Sequence, residues 1–221
     1  MKGFVRRNGL LLVSFVLFFG TFFVGQTITG HHVYNEDQKE HGESGVTMQE
    51  YVTTGHFLEA TMENWESEFL QMGAYILLTV WFRQKGSAES KKLDQEEAVE
   101  RDPLDDVRAD SPWPVRRGKG LALSLYKNSL SLAFLGLFAI AFVLHLLGGA
   151  REFSQEQQAH GGAPVSPSEF LGTADFWFQS LQNWQSEFLA VAAIVFLSIY
   201  LRQQGSPESK PVAAPHSETG S

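Results

Sequence analysis

Gly55–Lys91 reads GHFLEATMENWESEFLQMGAYILLTVWFRQKGSAESK, and Ala174–Lys210 reads ADFWFQSLQNWQSEFLAVAAIVFLSIYLRQQGSPESK, matched in register without a gap. The match continues upstream. Tyr34, Gln38, His41-Gly42, Val46, Glu50-Tyr51 and Thr54 align at the same spacing with Phe153, Gln157, His160-Gly161, Val165, Glu169-Phe170 and Thr173. With one residue of slippage, Arg7–Leu10 aligns with Lys127–Leu130. A repeat this long sets the folding unit before any local reading does. Each copy holds two apolar runs around a polar loop, the pattern of a helical hairpin in a membrane. The expected fold is therefore an all-α membrane protein with four transmembrane helices, arranged as two tandem, parallel-repeat hairpins.

Working outward, Leu10–Ile28 and Leu130–Leu147 are apolar with few interruptions. At roughly 18–19 residues, or about 27 Å of helix, each reaches across a hydrocarbon core. Phe69–Phe82 and Phe188–Leu201 are short for a span. They reach the needed length if their helices begin near Trp65 and Trp184, which places Trp65 and Trp81 at the two interfaces, as aromatic belts require. The expected spans are thus 10–28, 65–83, 130–148 and 184–202. Residues 1–93 form the first hairpin and 121–210 the second. Residues 94–120 read as a charged linker and 211–221 as a Pro/Ser-rich tail, both largely without fixed structure.

Orientation follows from the basic residues. Of the seventeen Lys and Arg, only Lys39 and Arg151 fall in the segments assigned outside when the N-terminus is cytoplasmic. That asymmetry is the positive-inside signature, and it puts both termini in the cytoplasm. A cleaved signal peptide over residues 1–28 is the competing reading. It is disfavoured by the length of the run, by the lack of a small-residue cleavage site and by the internal position of the equivalent run in the second copy. The net charge of −8 gives no basis for nucleic-acid binding. With no cysteine in the chain, disulfides and thiolate chemistry are excluded.

The best-matched polar segment is Asn64-Trp65-x-Ser67-Glu68, repeated as Asn183-Trp184-x-Ser186-Glu187. Glu68 and Glu187 each lie one helical turn inside a tryptophan, where a charge is costly and by default faces a bundle interior or water. Two such carboxylates near a common axis would share a proton or bind a cation. The structural alternative is a pair of interfacial acids held by Asn64 and Asn183 at i,i+4. Trp65, Trp184, Trp81, Arg83 and Arg202 then serve as interface anchors. The stripe through Glu68 reaches Tyr75, which becomes Ile194 in the second copy and weakens a continuous polar path.

His31, His32, His41 and His160 read as solvated loop histidines, because no zinc-type spacing frames them. His145 reads as a packing residue. Gly86 and Gly205 fit a helix C′ position, which leaves the recurrence of Ser-x-Glu-Ser-Lys beyond each helix unexplained. No nucleophile, metal or cofactor motif supports an enzyme. The expected partner is the lipid bilayer, with a second copy or another membrane protein as the open possibilities.

Several elements together carry a resemblance: Arg6–Leu10 (RRNGL), Gly25-Gln26-x-x-Thr29-Gly30, His41-Gly42, Glu63–Met72 (ENWESEFLQM) and Arg83–Lys91 (RQKGSAESK). They resemble a family of small bacterial integral-membrane proteins catalogued only as a domain of unknown function. The resemblance covers nearly the whole chain. It implies a bacterial inner-membrane location and the four-span architecture, and no activity. Function is therefore expected to be non-enzymatic, structural or interacting. A small cation or proton permeation protein using Glu68 and Glu187 is the alternative, and a membrane-embedded enzyme is the less supported third.

Overall fold

The computed structural model describes residues 2–220, and all regular structure among them is helical. In chain order the elements are α1 (Lys2–Phe19), a π-helical segment (Gly20–Gln26), α2 (Thr27–Glu40), α3 (Met48–Tyr51), α4 (Gly55–Trp81), α5 (Trp113–Arg116), α6 (Leu121–Lys127), α7 (Ser129–Ala159), α8 (Pro167–Phe170) and α9 (Ala174–Tyr200).

Among the described residues, three helices are long and apolar enough to cross a membrane: Gly3–Glu40, Ser129–Ala159 and Ala174–Tyr200. No more than 17% of the apolar stretch of any of them is buried in the protein. Helix α4 has the same 27 residues as α9 but is not among the three. The difference lies in side chains, because α4 carries Gln71 and Tyr75 where α9 carries Ala190 and Ile194.

Two expected boundaries move. The first long helix continues to Glu40, well beyond residue 28, so much of the expected outer loop is helical. Exposed i,i+4 pairs, His32 with Glu36 at 3.3 Å and His41 with Asp37 at 3.6 Å, line this extension, as short-range helix partners do. α4 and α9 start at Gly55 and Ala174, a full ten residues before the tryptophans. Thr54 and Thr173 supply the N-caps, accepting the backbone N–H of Phe57 and Phe176 at 3.1 and 3.3 Å.

Asn8 and Asn128 mark breaks near the starts of their apolar runs. Their backbones leave the helical region, and each side-chain amide donates to the carbonyl four residues earlier, Phe4 or Ser124. Side-chain competition for backbone groups of this kind interrupts helices.

The chain divides into two compact units. One comprises Met1–Glu63 and Phe142–Trp177, the other Asn64–Ala141 and Phe178–Ser221. The first holds an aromatic core of Phe170 and Phe176 around Ala150, flanked by Phe142, Leu146 and Phe153. His145, fully buried, stacks on Phe176 at 5.0 Å, a packing role consistent with its reading from sequence. In the second unit, the stretches after α4 and α9 run as successive turns, with Ser87, Ser90 and Lys210 buried.

Candidate functional site

Within the second unit, the residues singled out by the repeat separate. Glu68 and Asn64 are exposed, whereas Glu187 and Asn183 are partly buried. Glu187 lies within electrostatic reach of Glu68. Asn183 donates back along its helix to the Gln179 carbonyl at 3.1 Å, so it does not brace Glu187 at i,i+4. Gln71 donates to the Glu187 carbonyl at 3.0 Å.

The carboxylate held inside is Glu66. It is fully buried and accepts the Trp184 indole N–H at 2.9 Å. Trp184, expected as an interface anchor, therefore spends its one donor on a protein acid, and its ring packs edge-on against Phe138 at 6.1 Å. Sequence reasoning passed over Glu66 because it favoured residues present in both copies, and the second copy has Gln185 here.

The paired Arg-Gln-x-Gly-Ser-x-Glu-Ser-Lys motifs fold into the same turn. Ser90 and Ser209 each accept a backbone N–H, from Gln84 and Gln203, both at 2.9 Å. Ser87 and Ser206 each accept the N–H two residues on, from Glu89 and Glu208, both at 3.2 Å. Gly86 and Gly205 have φ of 85° and 86°. They sit at the third position of turns closed by Ser87 N–H to Gln84 O and Ser206 N–H to Gln203 O. A positive φ there demands glycine. Since α4 and α9 have already ended at Trp81 and Tyr200, these glycines form turns and are not helix C′ residues. Lys91 and Arg83 converge on Glu100 of the linker at 2.7 and 2.6 Å. Lys210 instead donates to the carbonyls of Pro215, His216 and Glu218. Arg202 covers the carbonyls of Ser198, Ile199 and Leu201 at the end of α9, as a cation complementing a helix C-terminus does.

The first unit holds a cleft of about 660 Å³ whose lining includes Tyr34, Asp37, His41, His56, Glu152 and Glu156. Its residues lie beyond the apolar stretches. His41 and His160 meet edge to face at 5.6 Å, and each ring nitrogen Nδ1 bonds a carbonyl one turn back, of Asp37 or Glu156.

Tyr51, almost wholly buried, bonds the His56 ring through its hydroxyl at 3.2 Å. Burial pushes its phenol up to about 12, assisted by the charge of Glu152. His56 moves the other way, held below the usual histidine range by burial. Glu152 is raised to about 7, first by burial and then by repulsion from Glu59, against a hydrogen bond from the His56 backbone N–H. Among the described residues, no three His, Asp or Glu side chains converge to hold a metal ion. Glu59 and Glu152 went unremarked in the sequence because each acid occurs in one copy only, opposite Phe178 and Val33.

The whole chain, residues 1–221, matches the family model described as a domain of unknown function (DUF6766). The chain belongs to this family. No curated protein and no solved structure matches it.

Proposed function

We propose that this chain is a multi-pass protein of the bacterial inner membrane, built as two tandem hairpins with four spans and both termini cytoplasmic, acting without catalysis as a structural or interaction protein. The observation carrying the interaction reading is the exposure of its apolar helices. Only 6% of the apolar stretch of Gly3–Glu40 and of Ala174–Tyr200 is buried by the protein itself. Apolar faces this extensive need lipid, protein or both to cover them.

The fourth span, α4, is supported by where its polar groups go. Glu66 and Gln71 are engaged by Trp184 and the Glu187 carbonyl and the Tyr75 hydroxyl donates to Glu89 at 2.6 Å, while Glu68, Leu78, Val80 and Trp81 are exposed. Polar groups satisfied inside the protein are compatible with a lipid-facing exterior.

Two measurements test this. Reporter fusions after Arg83, in the 94–110 linker and at Ser221 should read cytoplasmic, and fusions near Glu43 and Gly162 should read outside. An outside signal from the linker sinks the four-span topology. Photo-crosslinking residues at Leu11 and Phe196, both more than half exposed, should yield a discrete protein adduct in native membranes. Adducts with lipid alone would remove the interaction reading.

A second reading, cation or proton permeation, is favoured by one observation, the electrostatic proximity of Glu68 and Glu187. Glu68→Gln with Glu187→Gln should then abolish flux in proteoliposomes. Unchanged flux, or none in the wild type, eliminates it.

A further inference from the structure

The cleft of the first unit is walled by two stretches that correspond in the repeat. Tyr34 and Asp37 line it from α2, and α7 supplies Glu156, the counterpart of Asp37, together with Glu152. Glu43, beyond the end of α2, and His56, near the start of α4, complete the polar wall. Four carboxylates thus line one concavity, and none of its lining residues is a lysine or an arginine. Arg151, within electrostatic reach of Tyr34, donates to the Thr53 carbonyl at 3.1 Å. Asp37 has His41 3.6 Å away, an ion pair only when that ring is protonated, so a neutral His41 leaves Asp37 to an incoming cation.

Acidic side chains crowd many surfaces without binding anything. Here, however, two polar groups in the wall lack a partner. Tyr34 is only 6% exposed and makes no hydrogen bond among the described residues. A buried phenol ordinarily finds a partner, and what remains exposed of this one belongs to the cleft wall. Glu152 Oε2 is buried without a hydrogen-bond partner in the same wall. Such groups cost free energy until something supplies the missing bond.

Spacing points to the class of ligand. Among the described residues, no three His, Asp or Glu side chains converge on one point, as a metal ion requires. The cleft of about 660 Å³ falls within the range of small-molecule sites, on the order of 300–1,000 Å³. Carboxylates spread over such a wall match separated positive charges along a chain better than one point charge.

We propose that this cleft binds a linear organic polyamine, whose ammonium groups donate to Asp37, Glu43, Glu152 and Glu156 and to the Tyr34 hydroxyl oxygen. An ammonium N–H is a donor only, so it suits a wall of acceptors. Glu68 and Glu187 lie in the other unit, and the site needs neither the permeation reading nor a particular number of spans.

Spermidine is the probe, titrated calorimetrically into the full chain in nanodiscs of zwitterionic lipid. Saturable binding is expected. Asp37→Asn with Glu156→Gln should weaken it roughly tenfold or more, through lost charge-assisted bonds. Tyr34→Phe, which removes only the hydroxyl, should weaken it roughly threefold. Glu36→Gln removes an exposed acid of α2 outside the cleft and should leave binding unchanged. Equal weakening by Glu36→Gln would make the attraction a matter of net charge and overturn the site. Absence of saturable binding, or full displacement of spermidine by an equal concentration of Mg²⁺, overturns it too. If a cleft variant fails to fold, hydrogen exchange of the wild type decides. Spermidine should slow exchange in peptides covering 33–43 and 148–159, and no change there overturns the proposal.

Discussion

The two copies build the same corner from different chemistry. In both, a capping box starts a one-turn helix, Thr47 with Glu50 before α3 and Ser166 with Glu169 before α8. The aromatic that closes each short helix, Tyr51 or Phe170, packs over a matched glycine, Gly30 or Gly149. The backbone N–H before each cap is taken by a polar side chain of the preceding helix, Val46 by Asn35 at 2.6 Å and Val165 by Ser154 at 3.0 Å. What surrounds the corner differs. The first copy sets Tyr34, Tyr51 and His56 together, whereas the second sets Phe153, Phe170 and Phe176. One corner is dry and held by ring packing. The other is hydrogen-bonded and lines the cleft. The two matched segments thus share their backbone devices and differ in their side chains, one a packing half and the other a polar half.

That contrast can be broken most strongly in the dry corner. Phe170 is wholly buried, and Phe170→Ala should cost about 3–5 kcal/mol through lost burial and a residual cavity, measured as loss of folded protein in a detergent thermal melt. Gly148→Leu comes next. With the Glu59 backbone in the way, overpacking should cost about 1–3 kcal/mol and force α4 and α7 apart without removing any hydrogen bond. Were this variant as stable as wild type, the close approach of α4 and α7 would be wrong.

The polar corner should respond more mildly. Tyr51→Phe loses the hydroxyl bond to His56 and should cost about 1 kcal/mol, so it makes the first corner resemble the second at little expense. The reciprocal change, Phe170→Tyr, buries a hydroxyl where Asp175 replaces His56, and should be the more damaging of the two by the same melts.

pH separates the corners as well. His56 is held below the usual histidine range, so the unfolded chain binds its proton first and stability is lost as pH falls below that range. Glu152 acts oppositely, losing stability toward pH 7 and above. His56→Gln should flatten the acid limb of a stability–pH curve and leave the alkaline limb in place.

The smallest effect should come from the paired turns after α4 and α9. Ser209→Ala removes the acceptor for the Gln203 N–H and should cost about 0.5–1.5 kcal/mol. It should be visible as faster proteolysis after Arg202. Ser90→Ala should behave alike, unless the clamp of Arg83 and Lys91 on Glu100 holds the first turn closed.

How much was legible in advance depends on whether a signal was periodic or relational. The repeat, the apolar runs and the all-helical fold could be read from the chain, because hydrophobic runs act over a few residues. Helix ends were less accurate, since the polar extensions of α2 and α7 carry no apolar stripe and rest on local pairs. The recurrence of Ser-x-Glu-Ser-Lys was visible, but its reason was not, because it lies in hydrogen bonds that close only when the turn folds.

The acids show the limit most clearly. Composition and spacing marked Glu68 and Glu187 because both copies keep them, and residue type alone says nothing of which carboxylate is buried. That depends on helix rotation and on the neighbour across the gap. Packing put Glu66 against Trp184 and set Glu152 and Tyr34 in the wall of one cleft. A charge buried or repelled is a property of two chain segments at a distance of a few ångströms, and no window along one segment contains it.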